Sequence, residues 1–262
     1  MLTVDLEGRN AVVTGAASGF GRAAALALAQ SGARIAAVDA DVENLSRTLQ
    51  LLPNKGRGHL SICKNLRPAE AAAEVVAEAV DALGQLHILV NSAGVCHFTA
   101  ARDIRPDQWD EVLEIDLRSL YFMSVAAAEA MDAHLGGRII NLGSNAGRKG
   151  RAFSAHYAAA KAGVVNVTES LALAYGKKNI TVNTVCPAVV LTPMWERNFS
   201  ELQAVTGKSS AELIDGWTRA TPLQRLGTTE DVANLIVFLA SDHAGFITAQ
   251  EINVCGGFML TC

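Results

Sequence analysis

The chain lacks most of the features that mark disulfide-rich, membrane-spanning or secreted proteins. It has only five cysteines, an odd number, at Cys63, Cys96, Cys186, Cys255 and Cys262. No two of them have C-x-x-C spacing, so the sequence predicts neither a disulfide framework nor a metal site, and we expect small buried thiols in a reducing cytoplasm. No apolar run approaches the ~18 residues of a membrane span, and the amino terminus lacks the basic start and apolar core of a signal peptide.

Charge is also scarce. Lysine and arginine number 22 against 26 acidic residues, which leaves a net charge of −4, so we expect no general affinity for nucleic acid or anionic membranes. Half of the 262 residues are hydrophobic and only 18% are charged, which excludes a disordered chain and a highly charged coiled coil. The length suits one large domain, and no linker or repeat divides it.

Short apolar runs alternate with longer helical patterns along the whole chain. We predict strands at residues 9–14, 33–39, 58–63, 86–91, 138–143, 179–186 and 251–254. We predict helices at residues 19–30, 41–52, 69–83, 107–135, 154–175 and 229–241, and an irregular stretch over 187–221. Such alternation is typical of an α/β protein. We therefore predict a single domain, 1–262, with a doubly wound, Rossmann-like parallel sheet of seven strands covered by helices on both faces.

A glycine-rich turn follows the first predicted strand and opens the first helix. Its sequence runs Thr-Gly-Ala-Ala-Ser-Gly-Phe-Gly from residue 14 to residue 21. Glycine permits a tight turn there, and backbone N–H groups at a helix start can approach a pyrophosphate. The candidate phosphate-binding residues are Gly15, Ser18, Gly19, Phe20 and Gly21.

Asp39 ends the second predicted strand, about 20 residues beyond this turn, where dinucleotide-binding proteins place an acid. A carboxylate can accept hydrogen bonds from both hydroxyls of an adenosine ribose and would repel a 2′-phosphate. Neither the next residue, Ala40, nor the turn supplies a cation to receive that phosphate. The residues therefore favour NAD over NADP.

Tyr157 and Lys161 lie four residues apart at the start of a long predicted helix, so their side chains share one face. Lowering a phenol pKa of ~10 by ~3 units takes about 4 kcal/mol. A cation ~4 Å away at an effective dielectric constant of ~20 supplies about that much. The pair therefore makes sense as an acid/base group that removes an alcohol proton. Ser144, at the end of the fifth strand, is placed to hold the substrate oxygen beside Tyr157.

These motifs together resemble the short-chain dehydrogenase/reductase family over essentially the full chain. The glycine turn, Asn91-Ser-Ala-Gly94, Ser144, Tyr157-x-x-x-Lys161 and the Pro187 region occur in order at the spacing of that family. The resemblance implies that Tyr157 is the acid/base, that Ser144 orients the substrate, and that Lys161 holds the nicotinamide ribose and lowers the pKa of Tyr157. It also implies cofactor contacts at Asn65, Leu66, Asn91, Ala93, Gly94, Tyr157, Lys161, Val190 and Thr192.

One position departs from the family pattern in a way that bears on the chemistry. Asp116 stands where the family usually has an asparagine that completes a proton relay to the lysine. Aspartate is nearly the same size, and paired with Lys161 it could still relay protons. An ionised Asp116 close to Tyr157 would instead oppose a lowered phenol pKa. We include Asp116 among the predicted catalytic residues.

The substrate is predicted from weaker signals. Arg148, between Ser144 and Tyr157, could bind a carboxylate through two charge-assisted hydrogen bonds. Residues 189–217 resemble the variable substrate lid of the family, and Trp195, with Met194 and Phe199, could cover the pocket. The predicted substrate contacts are Ser144, Arg148, Tyr157 and Trp195. His97 and His156 are expected to make local hydrogen bonds or to lie at the surface.

An NAD pool usually serves oxidation, so we expect oxidation of a secondary alcohol on a polyol, sugar or sugar acid. A finer resemblance, to dehydrogenases of 2-keto-3-deoxy sugar acids in fuconate- and rhamnonate-type pathways, has no diagnostic motif. The main alternative is a 3-oxoacyl thioester reductase that acts on an acyl carrier. An alternative from another class is a dinucleotide-sensing protein without catalysis. The resemblance further implies a homotetramer, packed through the alanine-rich helices around residues 117–133 and 154–174.

Overall fold

The structure, a computed structural model, describes residues 4–259. Seven strands form one sheet: β1 Asn10–Thr14, β2 Arg34–Asp39, β3 Leu60–Cys63, β4 Ile88–Asn91, β5 Gly137–Leu142, β6 Ile180–Pro187 and β7 Glu251–Val254. Their spatial order is β3-β2-β1-β4-β5-β6-β7, and all six neighbouring pairs are parallel. The predicted doubly wound, Rossmann-like sheet of a single domain is confirmed.

Helices cover both faces of the sheet. They are α1 Gly19–Gln30, α2 Val42–Leu51, α3 Ala71–Leu83, α4 Pro106–Leu113, α5 Ser119–Ala130, α6 Ala155–Tyr175, α7 Trp195–Thr206, α8 Ser210–Ala220 and α9 Thr229–Ala240. Strand β1 shows why both faces are needed. Ala11 and Val13 point into a core with α1, α2 and α9, whereas Val12 points into a second core with α3, α5 and α6. Side chains alternate along a strand, so a strand that is apolar throughout must be covered twice.

The sheet order reverses direction between β1 and β4. The chain first runs outward from β1 to β2 and β3, and then returns to the other side of β1 to form β4. In open α/β sheets, ligands bind at such a switch point, beyond the carboxyl ends of the strands. The topology therefore places the candidate site at the ends of β1, β4 and their neighbours.

Most predicted boundaries lie within two residues of the observed ones, and α1 and β7 match without any offset. Asp41 is the predicted N-cap of α2, and its Oδ1 accepts a hydrogen bond from the Asn44 amide at 3.0 Å. The segment 107–135 is mostly helical, as predicted, but its regular helix ends at Ala130. A π-helical turn, Glu114–Arg118, joins α4 to α5, and no local sequence signal announces it.

The stretch 187–221 was expected to be irregular, and this expectation is wrong. It contains α7 and α8. A signal for α8 was present: Ser209 and Glu212 form a capping box, in which each side chain binds the backbone N–H of the other residue. The segment was expected to be irregular because its composition is polar, and the capping box was therefore not recognised as the start of a helix.

The cysteines differ in part from the expected buried thiols. All four in the described range are free; Cys96 and Cys186 are buried, Cys255 is intermediate and Cys63 is exposed. Cys262 lies outside the described residues. In residues 4–259, no helix combines the length and apolar character needed to cross a bilayer.

Gly21 allows α1 to pack against the turn that precedes it. A Cβ on Gly21 would lie 2.1 Å from the carbonyl oxygen of Gly15, a contact with backbone that cannot move aside cheaply. We expect Gly21→Ala to lower the free energy of unfolding by about 1–3 kcal/mol, measured by chemical denaturation. Gly216→Ala is the matched control in α8, since nothing lies within 4 Å of its Cβ position. Equal stability of the two variants would contradict this account.

Candidate active site

A large cavity, of about 760 Å³, opens beyond the carboxyl ends of the strands. The residues that follow β1, β2, β3, β4, β5 and β6 all contribute to its lining. It contains most of the predicted site residues: Gly15, Ser18, Gly19, Phe20, Asp39, Asn65, Leu66, Ala93, Gly94, Asp116, Ser144, Tyr157, Lys161, Val190, Thr192 and Trp195. The described lining does not include Gly21, Asn91 or Arg148.

The glycine turn forms one end of the cavity. Gly15 and Gly19 have φ angles of +67° and +51°, in the left-handed region that favours glycine. A Cβ on Gly15 would lie 2.8 Å from the backbone of Ala93, so the turn after β1 and the turn after β4 touch. Ser18 is the N-cap of α1 but its side chain makes no capping hydrogen bond, and the first turn of α1 has no acidic residue. The helix start is therefore a place where an anion can be bound.

Asp39 lines the cavity at the end of β2. Its Oδ2 accepts a hydrogen bond from the Ala17 amide and its Oδ1 one from the Asp41 amide, both at 3.0 Å. These two bonds fix the carboxylate beside the glycine turn. The structure thus brings together the acid and the turn that the sequence placed about 20 residues apart.

Asn91 lies behind the cavity wall. Its side chain is buried, and its Nδ2 donates hydrogen bonds to Ser124 Oγ and Asn141 Oδ1, both at 2.9 Å. Asn141 in turn donates to Thr168 Oγ1 at 2.8 Å. The observed hydrogen bonds of Asn91 therefore join β4 to α5 and β5, and Asn141 continues the network to α6.

Ser144, Tyr157 and Lys161 converge on the cavity from the end of β5 and the start of α6. Ser144 and Tyr157 both line the cavity, and Ser144 is close enough to the phenol to lower its pKa. Lys161 is buried; its Nζ donates to the Leu142 carbonyl at 2.9 Å and lies 5.6 Å from the centre of the Tyr157 ring. The sequence-predicted trio is thus one cluster, with Lys161 held between a strand end and a phenol.

Asp116 completes this cluster from the π-helical turn. It is fully buried, its Oδ2 lies 3.1 Å from Lys161 Nζ, and its Oδ1 accepts a hydrogen bond from the Val95 amide at 2.7 Å. A Cβ on Gly94 would lie 3.1 Å from Asp116 Oδ2, so the chain after β4 passes close to the carboxylate. Burial raises the pKa of Asp116, and the charge of Lys161 opposes that rise.

The residues around Tyr157 raise its pKa, which contradicts the expected lowering by Lys161. Burial raises the pKa of Tyr157 well above its usual range, and the nearby acids Cys96 and Asp116 raise it further, while the hydrogen bond with Ser144 lowers it. The Lys161 ammonium contacts Asp116 more closely than it approaches the phenol ring. The Asp116 carboxylate therefore largely neutralises the positive charge of Lys161, so that this charge does little to lower the pKa of the Tyr157 hydroxyl.

Arg148 does not face the cavity, which corrects its predicted role as a substrate contact. Its Nε donates to Glu251 Oε1 at 2.6 Å, at the start of β7. The same Glu251 oxygen lies 3.3 Å from Cys186 Sγ. Arg151 lines the cavity instead, and its guanidinium donates to Asn145 Oδ1 at 3.1 Å. A sequence pattern cannot decide which arginine of such a cluster turns inward, because Glu251 is more than 100 residues away.

The segment 189–217 supplies one wall of the cavity. Met194 and Trp195 line it as predicted, whereas Phe199 is not part of the described lining. Sequence reasoning missed Phe98 and Trp217, which line the cavity from the loop after β4 and from α8. These aromatic residues belong to no recognisable sequence motif, so only the folded structure shows that they line the cavity.

His97 and His156 lie outside the described lining. His97 makes the local contacts expected for it, with Nε2 at 3.0 Å from Glu111 Oε2 and Nδ1 at 3.4 Å from Glu201 Oε1. His156 is fully buried and stacks on His97, with 6.2 Å between ring centres. Neither ring nitrogen of His156 has a hydrogen-bond partner, so the expectation of a hydrogen-bonding or surface residue is wrong for it.

Comparison with known proteins agrees with this geometry. A sequence model of a family described as enoyl-(acyl carrier protein) reductase matches residues 15–259. The (2S)-[(R)-hydroxy(phenyl)methyl]succinyl-CoA dehydrogenase subunit BbsD of Thauera aromatica is 34% identical over 252 residues, 96% of this chain and 97% of that protein. This chain belongs to the short-chain dehydrogenase/reductase family. It is an oxidoreductase, and the family uses NAD or NADP.

Other relatives of this short-chain dehydrogenase/reductase have different names. The 3-oxoacyl-[acyl-carrier-protein] reductase FabG of Vibrio cholerae is 33% identical over 257 residues, 98% of this chain and all of that protein. A crystal structure from Beutenbergia cavernae, provisionally assigned as an NAD(P)-dependent gluconate 5-dehydrogenase, has NADP bound at low occupancy. It shares 32% identity and a TM-score of 0.87, with coverage of 98% of this chain and 99% of that one.

The contact between Asp116 and Lys161 has a consequence for the pH dependence of the reaction. The charge of Asp116 raises the pKa of Tyr157, so Asp116→Asn removes one cause of that rise. We expect the acidic limb of the pH profile of kcat/KM for alcohol oxidation to move to lower pH, since the phenolate then forms at lower pH.

Asp110→Asn is the control, because it makes the same change of charge at an exposed position in α4, outside the cavity lining. Its profile should match that of the wild type. Superimposable profiles for Asp116→Asn and the wild type would mean that Asp116 has no influence on the titrating base.

Proposed function

We propose that this protein catalyses NAD-dependent interconversion of a secondary alcohol and a ketone. The observation that carries the proposal is the shared cavity. The glycine turn and Asp39, which suit a dinucleotide, line this cavity. Ser144, Tyr157 and Lys161 line the same cavity. An enzyme that moves a hydride and a proton between substrate and cofactor needs both groups of residues in one site.

The residues present fit a nicotinamide dinucleotide. The left-handed glycines bring the backbone close to the cavity, and the uncapped start of α1 suits a pyrophosphate. Asp39 would accept hydrogen bonds from the adenosine ribose, and Val190 and Thr192 line the wall expected to meet the nicotinamide amide. When bound, the cofactor supplies the hydride acceptor for oxidation or the hydride donor for reduction.

The residues of the chain supply the proton chemistry. Ser144 would hold the substrate oxygen, and Tyr157 would take the hydroxyl proton as the alcohol is oxidised. Lys161, fixed by Leu142 and Asp116, would bind the nicotinamide ribose. Asp116 would keep the buried ammonium paired and could relay the proton onward.

The preference for NAD rests on Asp39 and on the cations near it. Three cations line the described cavity: Lys64, Arg151 and Lys161. Lys64, which follows β3, is paired with Glu74, and this partner raises its pKa. Lys64 directly follows Cys63, which pairs with Asp39 across the sheet. The charge of Lys64 is thus already matched by a carboxylate, which leaves Asp39 to repel a 2′-phosphate.

The substrate is a small molecule. The expectation of a sugar acid depended mainly on Arg148 as the residue that binds its carboxylate, and Arg148 does not face the cavity. A polyol, sugar or 2-keto-3-deoxy sugar acid would have to use Ser144, Tyr157 and Arg151. A 3-oxoacyl thioester is the second candidate, and Arg151 in the lining could bind an anionic carrier or cofactor group. Asp39 weighs against this candidate, since such reductases usually take NADPH. A cytoplasmic homotetramer stays a prediction.

Tyr157→Phe distinguishes an enzyme from a dinucleotide sensor. Loss of the phenol should lower kcat roughly 10²- to 10⁴-fold, because proton transfer has lost its acid/base group. NAD affinity, measured by calorimetry, should change little. Tyr175→Phe, at the other end of α6 and outside the cavity lining, should keep full turnover. Retained turnover in Tyr157→Phe would refute the assigned chemistry.

Asp39→Ala tests the choice of cofactor. Loss of two charge-assisted hydrogen bonds should lower kcat/KM for NAD roughly 10- to 100-fold. The value for NADP should fall less or rise, since repulsion of the 2′-phosphate also disappears. Glu43→Gln, a change of equal charge in α2 outside the lining, should leave the NAD to NADP ratio unchanged. A wild type that prefers NADP would overturn the assignment.

A further inference from the structure

An aromatic wall lies on one side of the cavity. Phe98 comes from the loop after β4, Trp195 begins α7 and Trp217 lies in α8, and all three line the cavity. The ring centres of Phe98 and Trp195 are 6.0 Å apart, with 27° between their planes, and those of Trp195 and Trp217 are 5.0 Å apart. Three separate segments thus bring their rings to one place.

Hydrogen bonds and ring contacts with neighbouring residues hold the three rings in position. The indole Nε1 of Trp195 donates to the Val190 carbonyl at 2.8 Å, and the Phe98 amide donates to Glu201 Oε2 in α7 at 2.8 Å. Phe199 packs on Trp195 at 5.3 Å and on Trp217 at 6.3 Å, but is absent from the described cavity lining. The wall therefore has a lining layer and a supporting layer.

The wall lines the same cavity as the reacting groups. Phe98 lies two residues after Cys96, and both residues line the cavity together with Ser144 and Tyr157. The Val190 carbonyl that binds Trp195 belongs to the segment expected to meet the nicotinamide. A substituent of a substrate bound at Ser144 and Tyr157 would therefore share this cavity with the rings.

The wall offers little to a hydroxylated substrate. The lining residues that α7 and α8 contribute within the described chain are Trp195, Asn198, Leu202, Leu213 and Trp217. Asn198 is the polar member of this set, 2% exposed, and its Oδ1 has no partner. Sugar hydroxyls placed here would give up water without enough replacement hydrogen bonds. A flat apolar group would gain contacts with the three aromatic rings.

We propose that Phe98, Trp195 and Trp217 form a subsite for an aromatic or similarly flat apolar substituent of the substrate. This inference rests on the proposed alcohol and ketone chemistry for turnover, but the subsite itself would bind such a group without any reaction. It assigns the substrate to aryl-bearing secondary alcohols and their ketones rather than to polyols.

The kinetic test compares three alcohols with NAD: 1-phenylethanol, 2-butanol and erythritol. We expect kcat/KM for 1-phenylethanol to be the highest and that for erythritol the lowest. Phe98→Leu and Trp217→Leu should each lower the ratio of 1-phenylethanol to 2-butanol roughly ten-fold. Trp217→Phe, which keeps a ring, should restore most of it. Phe246→Leu, the same change at an exposed position outside the cavity lining, should change the ratio by less than about two-fold. Thermal unfolding checks that each variant is folded.

A binding test separates this inference from the proposed function. Acetophenone is titrated into the protein with NADH, in the Tyr157→Phe background that blocks turnover, and followed by saturation-transfer NMR. Binding should weaken with Trp217→Leu and persist with the exposed Phe246→Leu. If no alcohol is oxidised but this pattern holds, the reaction is wrong and the subsite stands. If erythritol is the better substrate, or Trp217→Leu and Phe246→Leu bind acetophenone equally, the subsite is overturned.

Discussion

The active-site geometry depends on one buried charge, the ammonium of Lys161. A buried cation is costly unless charged or polar groups surround it. Here the Leu142 carbonyl and the Asp116 carboxylate meet that need, at 2.9 Å and 3.1 Å. The three residues belong to the end of β5, to α6 and to the π-helical turn before α5. Satisfying one ammonium therefore fixes three elements relative to each other, and Tyr157 is placed one helical turn from the same lysine.

The same pairing explains why the phenol is not activated by the protein alone. Asp116 neutralises much of the field that Lys161 would otherwise exert on Tyr157, and burial raises the pKa of the phenol. The site as folded keeps Tyr157 protonated at neutral pH. Formation of the phenolate then requires an additional positive charge or a further hydrogen-bond donor at the phenol oxygen. This dependence would suppress proton transfer between the substrate and Tyr157 when no nicotinamide cofactor is bound to accept or donate the hydride.

The sheet, the cofactor end and the Ser-Tyr-Lys cluster could be predicted because each depends on local patterns. Glycines after an apolar strand, an acid about 20 residues later and a four-residue spacing on a helix are readable in the chain. The orientation of Arg148 could not be read, since Glu251 pairs with it from the last strand. Neither could the buried setting of Asn91, nor the convergence of Phe98 with Trp217. These depend on contacts between segments whose separation in sequence carries no periodic signal.

The π-helical turn Glu114–Arg118 has a consequence for how this chain can vary. Such a turn behaves as one extra residue accommodated within an α-helix. Loss of that residue would restore regular winding and rotate everything on one side of the turn by about 100°. Asp116 would then leave the lysine, while α5 would present a different face to the sheet. Single substitutions in this segment can have small effects. A change in its length would instead alter the packing of α5 in the core and the position of Asp116 beside Lys161 at the same time.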